Sequence, residues 1–534
     1  MEKRFLMAIG LSLLVLMAYS SMLPKPKEAV NKEAALTPAV EPQAARPVVV
    51  PPSDETVAET AVQTATQIEK LDITKPLDSN DLYKISTDKI DLIFSKKGGY
   101  LYEVVDKAFN GPLTLVFKNI GLVKEWADLP FTTQELPKGV IFTYRDEDGL
   151  EIKKTFRIKS DQTLELTIDI INASDSSLTS YNITAGYFDP SLIKDQLSQR
   201  YCESSVRLKE IVNRKAVYGL KTPLSYDGGI GWVGLRDRYY CAVFLPQLSI
   251  NKAVVDIIGK GYAAVLTVPA RSLSTSSLSI EDQYKIYIGP QDGSLLRNFD
   301  KSAEEIINFG TFDSISKFLL FLLRSTYKLV GNWGWAIILV TILVYIIMFP
   351  LSVKSMLSMK KMQALQPKIE ELRAKHKENP QKLNTEIMEL YKREKVNPFG
   401  GCLPMLLQIP VFFALYQLLM RLISLKGASF LWIKDLSLPD RLYVLSSPIP
   451  VIGDELNLLP LLMAAGMFVQ QKFTTPSLDK TSSAAEQQKI MGVLMPVIFG
   501  VLFYKMPSGL VLYWFVNNLL MLAFQWKISA KKSI

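Results

Sequence analysis

Beyond Asp313 the chain is built mainly from long apolar runs that hold almost no charge, and this constrains its fold more than any other feature. Trp333 to Leu351, Leu403 to Ile423, Leu456 to Val469, Ile490 to Tyr504 and Gly509 to Phe524 are five such runs, the shorter ones lengthened by their flanks. About 20 apolar residues in a helix cross the hydrocarbon layer of a bilayer. Backbone groups in that layer have no water to bond to, so helices are the natural way across. A sixth run, Phe5 to Leu23, follows Glu2-Lys3-Arg4. It reads as an uncleaved anchor, with a cleaved signal peptide as the other reading.

Charge orients these segments. A dense set of Lys and Arg, from Lys354 to Lys395, joins the Trp333–Leu351 and Leu403–Ile423 runs, and the chain ends "WKISAKKSI". The loop from Ser424 to Glu455 instead sets Lys426, Lys434 and Arg441 against Asp435, Asp440, Asp454 and Glu455. The positive-inside bias then gives six spans with both termini in the cytoplasm. The formal net charge of +9 is explained by loops that flank spans. Anionic lipid is therefore an expected partner, and direct DNA binding is not.

The order of segments follows. Residues 1–23 read as the anchor and 24–80, rich in Pro, Ala, Glu, Val and Thr, as a disordered tether. Residues 81–306 read as a β domain, where "LELTIDI" alternates Leu164, Leu166, Ile168 and Ile170 with polar residues. "VIFTYRDEDGLEIKKTFRI" reads as two strands joined at Asp148-Gly149. Many short strands with Gly and Asp turns predict an antiparallel sandwich. An interfacial amphipathic helix (311–330) precedes the second span (331–352), because Lys317, Arg324 and Lys328 make a full crossing costly. Next come a helical hairpin (353–397) with stripes Met362, Leu365, Ile369, Leu372 and Leu383, Ile387, Leu390, then the third span (398–423) and an outer loop (424–455). The fourth, fifth and sixth spans (456–471, 490–505, 509–526) and a basic tail (527–534) complete the chain.

Little in this sequence suits enzyme chemistry. His376 is the only histidine, so a Ser-His-Asp triad and an HExxH zinc site are not expected. Of the three cysteines, Cys202 and Cys241 read either as a disulfide or as two unpaired thiols, and Cys402 as structural. No metal or other cofactor is expected.

The spans nevertheless keep polar groups. Thr341 and Tyr345 share a helical face, the third span holds Gln408, and the sixth holds Trp514, Asn517, Asn518 and Gln525 near one face. Gln417 is out of phase with Gln408. An unsatisfied amide in hydrocarbon costs several kcal/mol. A shared wet cavity therefore reads better than seven isolated contacts. A transporter or channel would also need such residues, but intramembrane charge and inverted repeats, their usual companions, are not found.

"MQALQPKIEELR", "LYKREKVNPFGGCLPMLLQIPVFFALYQLL" and "QQKIMGVLMPVIFGVLFYKMPSGLVLYWFVNN", together with the anchor, tether and β domain, resemble the YidC membrane protein insertase family in its Gram-negative form. The resemblance implies a protein that is not an enzyme and inserts newly made membrane proteins into the inner membrane. It implies a hydrophilic groove within a five-span core, with Thr341, Tyr345, Gln408, Tyr513, Trp514, Asn517 and Gln525 as its candidate lining. It also implies contacts to the ribosome and Sec translocon, with Lys368, Arg373, Lys375, Lys382 and Arg393 as candidates on the cytoplasmic hairpin. The sandwich is implied to lie in the periplasm and to be related to sugar-binding folds. One departure stands out. Relatives usually carry an arginine in the groove, and the alignment of "TILVYIIMFPL" puts Tyr345 there.

Overall fold

The computed structural model describes residues 77–107, 112–172, 180–193, 195–271, 279–376, 379–396, 403–449, 453–474 and 483–530. The expected anchor, the tether up to residue 76, and Cys402 lie outside them.

Alternation in the sequence becomes a sandwich of antiparallel sheets. The largest sheet has nine strands. From edge to edge they are Ile211–Ala216, Glu203–Leu208, Ile230–Arg236, Tyr240–Pro246, Ser279–Pro290, Thr163–Asn172, Leu150–Ser160, Gly139–Arg145 and Thr132–Leu136. A five-stranded sheet orders Leu224–Asp227, Lys252–Ile258, Gly261–Val268, Tyr181–Phe188 and Phe117–Lys118, and a four-stranded one runs from Leu82–Ser86 to Leu113–Thr114. The inward rows meet in one core that includes Phe94, Phe156, Leu166, Ile168, Phe188, Val255 and Leu266. Each such side chain, fully buried, contributes about 1.5–3 kcal/mol of transfer free energy. The turn at Asp148-Gly149 is present between its two predicted strands, with Gly149 at φ 90°.

The same alternation carries one charged residue inward. Lys154 lies between Ile152 and Phe156 on its strand and is fully buried. Its Nζ donates to the carbonyls of Gly98 (2.8 Å) and Gly121 (3.1 Å), 5.5 Å from the Trp126 ring and 5.7 Å from that of Phe131. Burial pushes this ammonium down to about 7.

Strand Tyr240–Pro246 is covered on both faces, which is why "YCAVFLP" shows no polar alternation. Tyr240, Ala242 and Phe244 join the sandwich core. Cys241, Val243 and Leu245 join a second core shared with the helices. This corrects the disulfide reading: Cys202 and Cys241 are both free and buried. Cys202 belongs to the sandwich core and Cys241 to the second core. A bridge would have to reach from one core to the other.

The helical region follows. We number α1 (Gly293–Phe299), α2 (Asp313–Val330), α3 (Trp333–Ala364), α4 (Gln366–Lys375), α5 (Pro380–Arg393), α6 (Leu403–Arg421), α7 (Leu458–Thr474), α8 (Ser483–Phe503) and α9 (Ser508–Ala530). Within α3 and α9, Trp333–Ser358 and Ser508–Lys527 are long and apolar enough to cross a membrane. Leu458–Gln471 and Gly492–Phe503 are apolar and shorter. α2 packs on α3 and α6 through Ser316, Leu319 and Leu323, while Phe318 and Phe321 point outward. Arg324 of α2 pairs with Asp292 at the start of α1 (2.6 Å).

Arginines join the sandwich to the end of α6. Arg238 Nε donates to the Met420 carbonyl at 2.5 Å, satisfying one of the acceptors left open at a helix C-terminus. Arg421 donates to the Asn308 carbonyl and lies 4.7 Å over the Tyr201 ring. Arg236 holds Glu203 at 2.8 Å and also reaches the Asn308 carbonyl.

The entrance to α3 is equally tight. Asn332 caps it by accepting from the Gly334 amide (2.9 Å). A Cβ on Gly334 would lie 2.1 Å from the Phe430 ring, so Gly334→Ala is expected to push α3 off the segment that carries Phe430. Overpacking of this kind costs about 1–3 kcal/mol. The purified variant should unfold at lower temperature, and an unchanged melting temperature would contradict this packing.

Candidate functional site

α3, α6 and α9 pack against one another and carry most of the polar side chains of the spans. Described residues from Trp333 to Val353, Gln408 to Met420 and Ser508 to Trp526 include no Asp, Glu, Lys or Arg. Whatever polarity the interior has, in these segments, is neutral.

The structure treats the predicted residues differently. Thr341 is buried and its hydroxyl donates to the Ile337 carbonyl of its own helix (2.7 Å), so it is satisfied locally. One turn on, the Tyr345 hydroxyl is buried with no hydrogen-bond partner among the described residues. The Tyr345 ring stands 6.2 Å from Phe349, whose ring meets Phe524 of α9 edge-on at 4.8 Å. Gln408 of α6 donates to the Tyr513 hydroxyl of α9, a direct polar link between two helices. Among the described residues the Asn517 amide approaches the Met521 sulfur, at 4.0 Å.

α9 contributes a stripe. Trp514, Asn518 and Gln525 recur at i, i+4 and i+11, which is one helical face. The Trp514 Nε1, one amide end of Asn518 and one of Gln525 are buried without a partner among the described residues. The Trp514 ring is packed by Phe412 (4.8 Å), Phe499 (5.6 Å) and Phe503 (5.4 Å). An amide or hydroxyl shielded from water and unpaired costs about 1–3 kcal/mol. Such groups cluster where a water or another ligand completes them.

Two residues of this kind were not among the predicted lining. Asn518 neighbours Asn517 in the sequence and is the more buried of the two. Gln417 also ends in a buried oxygen with no partner among the described residues. Its phase relative to Gln408 told against it, but Pro410 lies within α6 between them. A proline removes a helix hydrogen bond and bends the helix, so ideal phase is a poor guide across it.

The helix pair α4 and α5 closes on its own small core of Leu365, Ile369, Leu390 and Val396. Lys368 pairs with Glu394 at 2.9 Å. Arg373, Lys375, Lys382 and Arg393 are exposed.

A β sandwich that shares a core with apolar helices, two of them long and apolar enough to cross a membrane among the described residues, fits a membrane protein with a folded domain outside the bilayer. Residues 325–533 match the family described as 60Kd inner membrane protein, and residues 130–322 match the YidC periplasmic domain. A membrane protein insertase YidC of Geotalea daltonii is 32% identical over 559 residues, covering 98% of each chain. One of Geobacter metallireducens is 32% identical over 556 residues, covering 97% of each. Among solved structures, an active YidC insertase with its first transmembrane domain resolved is 20% identical, covers 84% of this chain and 93% of its own, and gives a TM-score of 0.40. The chain belongs to the YidC membrane protein insertase family. It is accordingly an inner membrane protein whose sandwich is a periplasmic domain.

Proposed function

We propose that this protein moves hydrophobic segments of newly made proteins into the inner membrane through a hydrated groove between α3, α6 and α9, without nucleotide hydrolysis. The observation that carries this reading is the set of polar atoms on Tyr345, Gln417, Trp514, Asn518 and Gln525 that are buried without a partner among the described residues. In a membrane such atoms need water or a client to complete them. The groove lining is Thr341, Tyr345, Gln408, Gln417, Tyr513, Trp514, Asn517, Asn518 and Gln525. Water held there brings the polar tail of a client to a thinner apolar layer. Partition of the client's apolar segment into lipid, about 0.8 kcal/mol per buried CH₂, supplies the driving force. A GxxxxGK[ST] phosphate loop is absent from the sequence.

The topology proposed with it has six spans, with both termini and the α4–α5 pair in the cytoplasm. The exposed Arg373, Lys375, Lys382 and Arg393 then face ribosome and anionic lipid, and clients arrive alone or through the Sec translocon. Photocrosslinkers replacing Tyr345 and Trp514 are expected to capture a ribosome-bound nascent membrane protein, and one at the lipid-facing Ile346 far less. Equal capture from all three positions, or none from the first two, would remove the groove from the pathway.

A further inference from the structure

The outer loop holds an apolar feature that the groove does not use. Strands Tyr443–Ile449 and Gly453–Leu456 form a two-stranded ribbon, pairing Tyr443 with Leu456 and Val444 with Glu455. Leu442, Tyr443 and Val444 are 45%, 61% and 59% exposed. Successive strand residues face opposite ways, so both faces of the ribbon are uncovered. An isolated two-stranded ribbon is marginal in water, more so with aliphatic and aromatic groups bare on both sides.

The charge pattern says what covers it. From Leu442 to Gly453 the sequence is uncharged, and charges gather at the base. There Arg441 pairs with Glu455 at 2.7 Å, Asp454 is exposed, and the Lys505 ammonium lies 4.0 Å from where a Cβ on Gly453 would be. The base is also fixed to the helix ends. The Arg441 amide donates to the Asn457 side chain (2.9 Å), and the Asn457 side chain donates to the Tyr504 carbonyl (2.9 Å). Tyr504 in turn donates to the Glu455 carbonyl (2.9 Å). The ribbon therefore stands beside the outer ends of α7 and α8. Leu461 and Leu462, near the start of α7, are exposed as well.

We propose that this ribbon lies in the outer leaflet, at the boundary between headgroups and acyl chains, with lipid as its partner. The placement rests on the topology given under the proposed function. Full immersion is excluded, because the open edges of a two-stranded ribbon present backbone groups that hydrocarbon cannot satisfy. At the boundary those edges and Ser446 and Ser447 stay hydrated, Tyr443 takes the position aromatic residues favour, and Arg441 and Lys505 meet lipid phosphates.

The test uses the full chain in lipid vesicles, with Cys202, Cys241 and Cys402 replaced and single cysteines placed at Tyr443, Val444, Asp454 and Leu461. Each carries an environment-sensitive fluorophore. Probes at Tyr443 and Val444 are expected to be quenched by lipids brominated near the headgroup, as at Leu461, and to resist aqueous iodide several-fold better than at Asp454. Iodide quenching at Tyr443 and Val444 equal to that at Asp454 would overturn the proposal. So would shielding from both quenchers, which would assign the ribbon to a protein partner or a second copy. An impermeant thiol reagent at Asp454 reports sidedness separately. If it reacts only from the cytoplasmic side, the topology fails, whatever the depth of the ribbon.

Discussion

A variant carrying Tyr345→Phe, Gln408→Leu, Asn517→Leu, Asn518→Leu and Gln525→Leu together is expected to lose nearly all insertion of a reconstituted client. If the proposed groove is hydrated, each of these side chains offers the crossing polar tail a hydrogen bond inside the membrane. Removing about 3 kcal/mol of that stabilisation, the desolvation of one or two polar groups, slows crossing about a hundredfold. Tyr345→Phe alone is expected to weaken insertion only modestly, since its hydroxyl has no partner to lose among the described residues. Misfolding is the trivial explanation, and it predicts a different result. Replacing the partly unpaired amides of Asn518 and Gln525 by apolar groups of similar size removes a penalty from the folded bundle, while Gln408→Leu gives up its link to Tyr513, so thermal stability should change by no more than about 1–3 kcal/mol. Normal insertion by the fivefold variant would dispose of the groove, while lost insertion with lost stability would point to folding.

The stability of the periplasmic domain is expected to rise between pH 7 and pH 9, and Lys154 is the reason. Its folded value of about 7 lies far below the roughly 10.4 of an unfolded lysine. Between these values the unfolded chain holds a proton that the folded chain has released, so stability rises with pH there. The cost of burying the charge is fully present below pH 7 and is gone above about pH 10. For pH 7 to 9 the gain is about 2 kcal/mol. Lys154→Met fills the same space without a titrating group and should flatten the profile. The change is read as resistance of the domain to protease in the full-length protein across that pH range. A wild-type profile already flat, or one unchanged by Lys154→Met, would show that another group governs it.

Lys154 also shows what the sequence makes legible. Its strand reads Ile152, Lys154, Phe156 on one side, so alternation alone turns the lysine inward. What alternation cannot show is the pair of carbonyls, from Gly98 and Gly121, that receive it. Those residues are 56 and 33 positions away. The cysteines behave in the same way. Spacing left a bridge between Cys202 and Cys241 open, and only the two cores they occupy excluded it. Thr341 and Tyr345 look equivalent on a helical wheel, yet one hydroxyl bonds its own helix and the other is left unpaired.

The sequence by itself determined the kind of protein this is. Apolar runs, alternating strands and the extended segments shared with the insertase family are local patterns, set by the periods of helix and strand and by what a bilayer tolerates. The tertiary structure decided which polar groups are spent and which are left over. The Gln408–Tyr513 link, the Arg238 cap on α6 and the unpartnered atoms of Tyr345, Trp514, Asn518 and Gln525 depend on how helices and sheets meet. A hydrogen bond between distant segments is a matter of a few tenths of an ångström, and no period in the chain encodes that distance.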